Sequence, residues 1–297
     1  MNQGHFELIV PGSTANLGSG FDSIGLAINR YLKLNVKPSE EWVFHYPDGF
    51  EMLSDLENNL IYKVAEKVAK QYGRSCPCYD ITVSSDIPLA RGLGSSGAAI
   101  IAGIELANIG LDLQLKTEEK AKIACDLEGH PDNVTASLYG GLTISSYFDG
   151  ELVTLTSSLP DVSLCTLIPE VELKTETARH VLPKSLLHSE SVQASSICNV
   201  MIAALLQQNW TIAGQMMEKD LFHQPYRTSL IPDLPIITRA ARELGAYGTF
   251  LSGAGPTIMS FVPHSQSQEI ITHLQSEFPN YQCQVLSPVI HGLQIKK

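Results

Sequence analysis

Runs of β-favouring apolar residues mark the start of the chain: Phe6-Glu7-Leu8-Ile9-Val10, Tyr31-Leu32-Lys33-Leu34-Asn35-Val36 and Trp42-Val43-Phe44. Each reads as a strand. After Asn58-Asn59 the period changes. In Leu60-Ile61-Tyr62-Lys63-Val64-Ala65-Glu66-Lys67-Val68 the apolar positions recur at helical spacing, with Gly73 as a stop, so an amphipathic helix is predicted. Tyr79-Asp80-Ile81-Thr82-Val83 is a further strand. The apolar run at residues 100–107 belongs to a buried helix entered through a glycine-serine loop. Thr117-Glu118-Glu119-Lys120 carries a capping signature, with Thr117 as cap and Lys120 where a glutamate would complete the box. The helix it opens ends near Gly129. Residues 140–144 return to strand, and Phe148-Asp149-Gly150-Glu151 reads as a hairpin turn.

Further along, the pattern predicts a strand at 163–168, helices at 191–208 and 234–244, and a strand-loop-strand at 247–262. A helix at 267–277 and a strand at 282–286 follow. This order of elements indicates an α+β fold with antiparallel sheets covered on one face. A length of 297 residues suits one large or two modest domains, and we place the boundary near residue 160, giving segments 1–160 and 161–297. No repeat, low-complexity tract or long linker interrupts either segment.

Composition narrows the function. With 44% hydrophobic and 17% charged residues the chain is a folded globular protein, neither disordered nor a coiled coil. The formal charge of -11, from 31 acidic against 20 basic residues, argues against a broad cationic face. Nucleic acid and anionic membrane are therefore not expected as partners, and any nucleotide site must rely on local backbone dipoles and magnesium. The six cysteines (Cys76, Cys78, Cys125, Cys165, Cys198 and Cys283) form no C-x-x-C pair, which fits core thiols in a reducing cytosol. The beginning of the chain has no basic segment followed by an apolar run, and no stretch approaches a membrane span, so a cytoplasmic protein is expected.

Three glycine-rich loops carry the candidate chemistry. In Pro88-Leu89-Ala90-Arg91-Gly92-Leu93-Gly94-Ser95-Ser96-Gly97-Ala98, glycines let the backbone approach an anion and serines add hydroxyls. The following helix presents free N–H groups and its positive dipole end, so phosphate is the natural occupant. The run also satisfies G-x-G-x-x-G, but Asp86-Ile87-Pro88 separates strand from loop and the helix leads to another helix, which excludes a dinucleotide fold. A P-loop is excluded because its lysine is absent: Gly97 follows Ser96. Charge neutralisation then falls to loop dipoles, to Arg91 if it turns inward, and to a metal ion. The early loop, where Asn16 and Asp22 bracket Gly18 and Gly20, offers groups for a small polar ligand. The late loop is Leu251-Ser252-Gly253-Ala254-Gly255-Pro256-Thr257. Taken singly, the early and late loops also read as plain turns, and the glycine-serine loop as a helix entry without ligand.

Together these loops resemble the signature of the GHMP kinases: an early substrate loop, P-x-x-x-G-L-G-S-S, and a late glycine loop. Four runs are similar to the branch that acts on L-homoserine: residues 10–22, Glu128-Gly129-His130-Pro131-Asp132-Asn133-Val134, Thr175-Glu176-Thr177-Ala178-Arg179 and His223-Gln224-Pro225-Tyr226-Arg227. The resemblance implies an N-terminal domain of the ribosomal-S5-domain-2 type, a ferredoxin-like C-terminal domain and a homodimer. It also implies ATP-dependent phosphorylation of the L-homoserine hydroxyl in threonine biosynthesis. ATP would lodge at residues 88–98, magnesium at Ser96 and Glu128. Asn16, Asp22 and His130 would form the amino-acid pocket, closed by Thr175, Arg179, Arg227 and Gly253. Guanidiniums suit the substrate carboxylate and Asp22 suits its ammonium. The aspartate that some relatives use as base corresponds here to Asn133. Catalysis is therefore expected to rest on positioning by Asn16, Asp22 and Asn133 and on charge stabilisation. Another small-molecule kinase of the family, or an idle ligand sensor on the same fold, are the competing readings.

Overall fold

The computed structural model describes residues 4–47, 49–158 and 160–297. The first part of the chain runs β1 (Phe6–Ala15), β2 (Ile24–Pro38), β3 (Val43–His45), α1 (Leu60–Gln71), β4 (Tyr79–Ser85), α2 (Ser95–Leu111), α3 (Thr117–Glu128), α4 (Asp132–Tyr139), β5 (Leu142–Phe148) and β6 (Glu151–Ser157). The second runs β7 (Ser163–Pro169), α5 (Thr175–His180), α6 (His188–Leu206), α7 (Trp210–Met217), α8 (Gln224–Arg227), α9 (Leu234–Glu243), β8 (Gly248–Leu251), β9 (Ile258–Val262), α10 (Ser267–Glu277), β10 (Tyr281–Leu286) and β11 (Gln294–Lys296).

Two sheets organise these elements. The larger has the order β11-β1-β2-β4-β3, with β5 and β6 branching from β2, and the smaller is antiparallel in the order β10-β7-β9-β8. The α+β class follows, with the two-domain architecture of GHMP kinases. After β10 the chain returns to the first sheet, where β11 pairs with β1. Among the described residues no helix is long and apolar enough to cross a membrane.

β1 extends beyond its apolar run. Gly12 and Ser13 are poor strand formers, yet a bulge between Pro11 and Gly12 resets the register, and Gly12, Ser13 and Thr14 pair with Ile28, Ala27 and Leu26. Tertiary pairing thus converts the first half of the early glycine loop into strand, and the turn begins only at Asn16.

The helices behave as their patterns dictate. α1 buries Ile61, Val64, Ala65, Val68 and Ala69, and Asn59 caps it by accepting the N–H of Tyr62 at 3.0 Å. Burying each large aliphatic stabilises by roughly 1.5–3 kcal/mol at most. α2 is apolar nearly all round because α1, α3, α4 and β1 surround it. Its one buried carboxylate, Glu105, meets Lys120 Nζ of α3 at 2.6 Å. The cap of α3 lies one residue earlier than its sequence suggests: the Lys116 N–H donates to Glu119 Oε2 at 2.8 Å, so Glu119 closes the box, not Lys120.

Candidate active site

The three glycine-rich loops meet. Gly253 N–H donates to the Ala15 carbonyl at 3.1 Å, and Asn16 Nδ2 donates to the Gly253 carbonyl at 3.0 Å. The Thr14 and Ser252 hydroxyls lie 2.8 Å apart, and Ser252 donates to the Gly92 carbonyl at 2.6 Å. Gly92, at φ +76°, has room for no side chain, since a Cβ would stand 2.4 Å from the Ser252 carbonyl oxygen. Gly94, at φ +75°, caps α2 in the left-handed region, and its missing Cβ would meet Ser13 Oγ at 2.2 Å. The glycines are therefore the contact surfaces between loops as well as an approach for an anion.

One cleft opens where the loops join, and Asn16, Asp22, His130, Asn133, Thr175, Arg179, Arg227 and Gly253 all line it. Its anionic-ligand end is the start of α2. The first helical bond there is donated by Ala98 to Gly94, so the N–H groups of Ser95, Ser96 and Gly97 lack intrahelical acceptors. They add their positive partial charge to the helix dipole. Opposite, Ser96 Oγ donates to Glu128 Oε2 at 3.0 Å. Glu128 is the last residue of α3, where the negative dipole end disfavours a carboxylate. A hard cation shared with Ser96 would offset that, so the oxygen donors fit magnesium.

The other end is rich in charge. Arg179 grips Asp22 with two parallel bonds, Nη2 to Oδ1 at 2.7 Å and Nη1 to Oδ2 at 3.1 Å. Arg227, though 1% exposed, reaches the cleft wall. Its Nε donates to the Ala178 carbonyl at 3.1 Å, and Nη1 donates to the Gly253 carbonyl at 2.9 Å and to His223 Nδ1 at 3.0 Å. Accepting at Nδ1 leaves the His223 proton on Nε2, which donates to the Gly18 carbonyl at 2.8 Å. Burial, reinforced by Arg227, keeps this imidazole neutral by lowering its pKa against the pull of Asp220. Burial and the nearby charge of Arg179 bring Arg227 down to about 10, which still leaves it cationic at neutral pH.

His130 behaves oppositely. Burial pulls its pKa down, but the charge and hydrogen bond of Asp132, with Asp22 and Glu128 beyond, raise it above the ordinary value. Its Nδ1 donates to Asp132 Oδ1 at 2.6 Å. The buried Asp132 carboxyl is held below its ordinary range, since His130, the Asn133 N–H and Arg179 outweigh its desolvation. Asn133 itself accepts from Ser13 Oγ at 3.0 Å through Oδ1, and a carboxamide so held cannot take up a proton.

A second cavity, of about 330 Å³, adjoins the first and shares Ala90, Ser95, Ser96, Leu173 and Thr175 with it. Tyr46, Leu53, Leu60, Ile61 and Leu89 supply an apolar wall, with the Asn58 amide and Lys174 as its polar members. A flat heterocycle attached to a phosphate chain would fit such a pair of spaces.

Not all of the expected residues reach these cavities. Leu93 and Ala98 are buried in the core, and Pro88 lines neither space. Arg91 borders the cleft, but its guanidinium donates to the carbonyls of Leu89, Pro169 and Glu170 and pairs with Glu172 at 3.3 Å. It serves as a strut to the segment before α5, because three acceptors there and the Leu89 carbonyl of its own loop outcompete an inward turn. Sequence reasoning placed Leu89 and Ala90 at the nucleotide but missed Phe21, Asp132 and Leu173, and Tyr46, Leu53, Leu60 and Ile61 of the second cavity. Asp132 was visible as a carboxylate inside the run 128–134; the scattered apolar residues carried no local signal.

The family described as GHMP kinases N terminal domain matches residues 59–141, and that described as GHMP kinases C terminal matches 201–280. The homoserine kinase of Halalkalibacterium halodurans is 45% identical over 98% of the chain and 95% of its own length. That of Lactococcus lactis is 44% identical over 98% and 99%. A candidate homoserine kinase structure from Listeria monocytogenes superposes with a TM-score of 0.85 at 38% identity, covering 98% of this chain and 99% of its own. A mevalonate kinase from Methanococcus jannaschii shares the fold at 18% identity and a TM-score of 0.74, covering 97% and 99%.

Proposed function

The chain belongs to the homoserine kinases, a branch of the GHMP kinase family, and from that premise we infer that it transfers the γ-phosphoryl group of ATP to the side-chain hydroxyl of L-homoserine. The product is O-phospho-L-homoserine, which places the reaction in threonine biosynthesis. The observation that carries the reading beyond family membership is one cleft joining an anion-binding helix end to a carboxylate and two arginines. A zwitterionic alcohol answers both charges; a neutral sugar answers neither, and mevalonate leaves Asp22 without a cation.

The division of labour follows from the chemistry of each end. Backbone N–H groups at residues 95–97 hold the phosphate chain, and the apolar wall around Tyr46 and Ile61 receives the adenine. Magnesium, held by Ser96 and Glu128, would neutralise β- and γ-phosphate charge when bound. Arg179 and Arg227 take the substrate carboxylate, and Asp22 takes the ammonium. Asn16, tied to Asp22 and Gly253, keeps that pocket in register, with Thr175 and Gly253 at its rim. His130, hydrogen-bonded to Asp132 at 2.6 Å, completes the wall of the amino-acid pocket beside Asp22. Asn133 orients the attacking hydroxyl without accepting its proton. Loose phosphoryl transfer needs little early proton removal, so alignment and charge carry the rate.

The same reading places the enzyme in the cytoplasm, where all six cysteines stay free, and makes it a homodimer. Sedimentation of the purified protein tests the assembly. ADP release in the presence of L-homoserine, mevalonate or galactose tests the function: turnover with L-homoserine alone is expected. Turnover with mevalonate or galactose instead would reassign the substrate, and ATP binding without any turnover would leave a ligand sensor.

A further inference from the structure

Phe21, next to Asp22, is a large aromatic residue that takes part in neither hydrophobic core. It stands in the wall of the polar cleft, and its neighbours are cations and an imidazole. Arg179 Cζ lies 5.6 Å from the ring centroid and Arg227 Cζ 5.5 Å. The His223 ring stacks on it at 5.2 Å with planes 22° apart. Among the described residues these are the only two cation–π contacts, and one ring makes both.

Two guanidiniums meant for one carboxylate repel each other while the site is empty. Burial chiefly, and then the charge of Arg179, draws the Arg227 pKa downward. Asp22 answers Arg179 directly at 2.7 Å but makes no hydrogen bond to Arg227. An aromatic face attracts both cations without being an anion, so it neither competes for the substrate ammonium nor repels the substrate carboxylate. The neutral state of His223 lets it pack on the ring without bringing a third positive charge.

We propose that Phe21 is a positioning residue whose ring holds Arg179 and Arg227 together as a single receptor for the substrate α-carboxylate, and thereby sets selectivity for acceptors that carry one. This rests on the homoserine reading above. Leucine would fill the space without a π face, and tyrosine would keep the face.

Steady-state kinetics of Phe21→Leu and Phe21→Tyr test this with L-homoserine and with 3-amino-1-propanol, the same acceptor without its carboxylate. In Phe21→Leu the KM for L-homoserine rises about tenfold, while kcat and the KM for ATP stay within about twofold. The preference for L-homoserine over 3-amino-1-propanol shrinks by the same factor of about ten, and Phe21→Tyr stays within about twofold of the parent. Should Phe21→Leu fail to fold, Phe21→Met takes its place with the same expectation. An unchanged KM, or equal losses on both acceptors, would assign the ring to packing alone and overturn the proposal. A parent enzyme with no L-homoserine turnover would overturn the functional reading and this inference together; normal parent turnover beside an unaffected Leu variant overturns the inference alone.

Discussion

Arg179 and Asp22, 157 positions apart, are joined by two parallel hydrogen bonds of 2.7 and 3.1 Å across the mouth of the cleft. Each is the group that the other end of a zwitterion would satisfy. On the proposed function, substrate binding would be an exchange of partners, with ammonium replacing guanidinium on Asp22 and carboxylate replacing Asp22 on Arg179.

Asp22→Asn removes one side of that exchange and leaves Arg179 half-buried without its anion. The KM for L-homoserine should rise roughly 10- to 100-fold, the loss expected for a charge-assisted hydrogen bond, with the KM for ATP little changed. Steady-state assays varying each substrate separate the two, and wild-type kcat/KM for L-homoserine would refute the assignment of Asp22.

The His130–Asp132 pair predicts a pH dependence. His130 has a raised folded pKa, so its contribution to stability is full below the ordinary value of about 6.5 and is lost as pH rises through the folded value. Asp132 is lowered, so its contribution is present above the ordinary value of about 3.9 and is lost as pH falls through the folded one. Asp132→Asn should move the alkaline limb of the kcat/KM profile to lower pH and weaken the rise in stability between neutral and mildly acidic conditions. Activity and melting temperature measured across pH 5 to 9 check both signs.

Glu128→Gln replaces the carboxylate proposed to hold magnesium by a neutral group of the same shape. We expect kcat to fall about 100-fold and the magnesium concentration for half-maximal rate to rise. Ser96→Ala should do the same more mildly. Magnesium titrations at saturating ATP provide the measurement.

Gly94→Ala tests the proposed seat of the phosphate chain. The left-handed backbone at φ +75° costs a non-glycine residue roughly 1–2 kcal/mol, and the new Cβ would press on Ser13 from 2.2 Å. Nucleotide binding measured by calorimetry should weaken more than L-homoserine binding does.

Lys120→Met leaves the Glu105 carboxylate buried in α2 without its cation at 2.6 Å. Breaking such a pair costs about 3–5 kcal/mol, whereas Glu105→Met with Lys120→Met removes both charges and should recover most of it. Chemical denaturation of the single and double variants reads the difference directly.

Much of the fold was legible along the chain. The strands at β4, β7 and β10 and the helices at α1, α6, α9 and α10 lie where apolar spacing placed them, because each buries a face that its own residues define. The short helices α4, α5, α7 and α8 escaped this reading. Their turns are too brief for a period to emerge, and they are held by neighbours, as Asp220 holds the start of α8 through the N–H groups of His223 and Gln224 at 2.9 and 2.7 Å.

The site divides in the same way. Local sequence determined the anion-binding end, because a glycine-serine turn opening an apolar helix makes free N–H groups wherever it is placed. It also supplied Asp22, Arg179, Arg227 and Glu128 as candidates through their motif runs. Which of these meet was decided by tertiary structure alone: the Asp22–Arg179 grip, the burial of Arg227 against the Ala178 and Gly253 carbonyls, the diversion of Arg91 to carbonyls at 169 and 170, and the contact of the Phe21 ring with two guanidiniums. Those contacts join residues tens to hundreds of positions apart, and their energies depend on burial and distance, which exist only once the two sheets have packed.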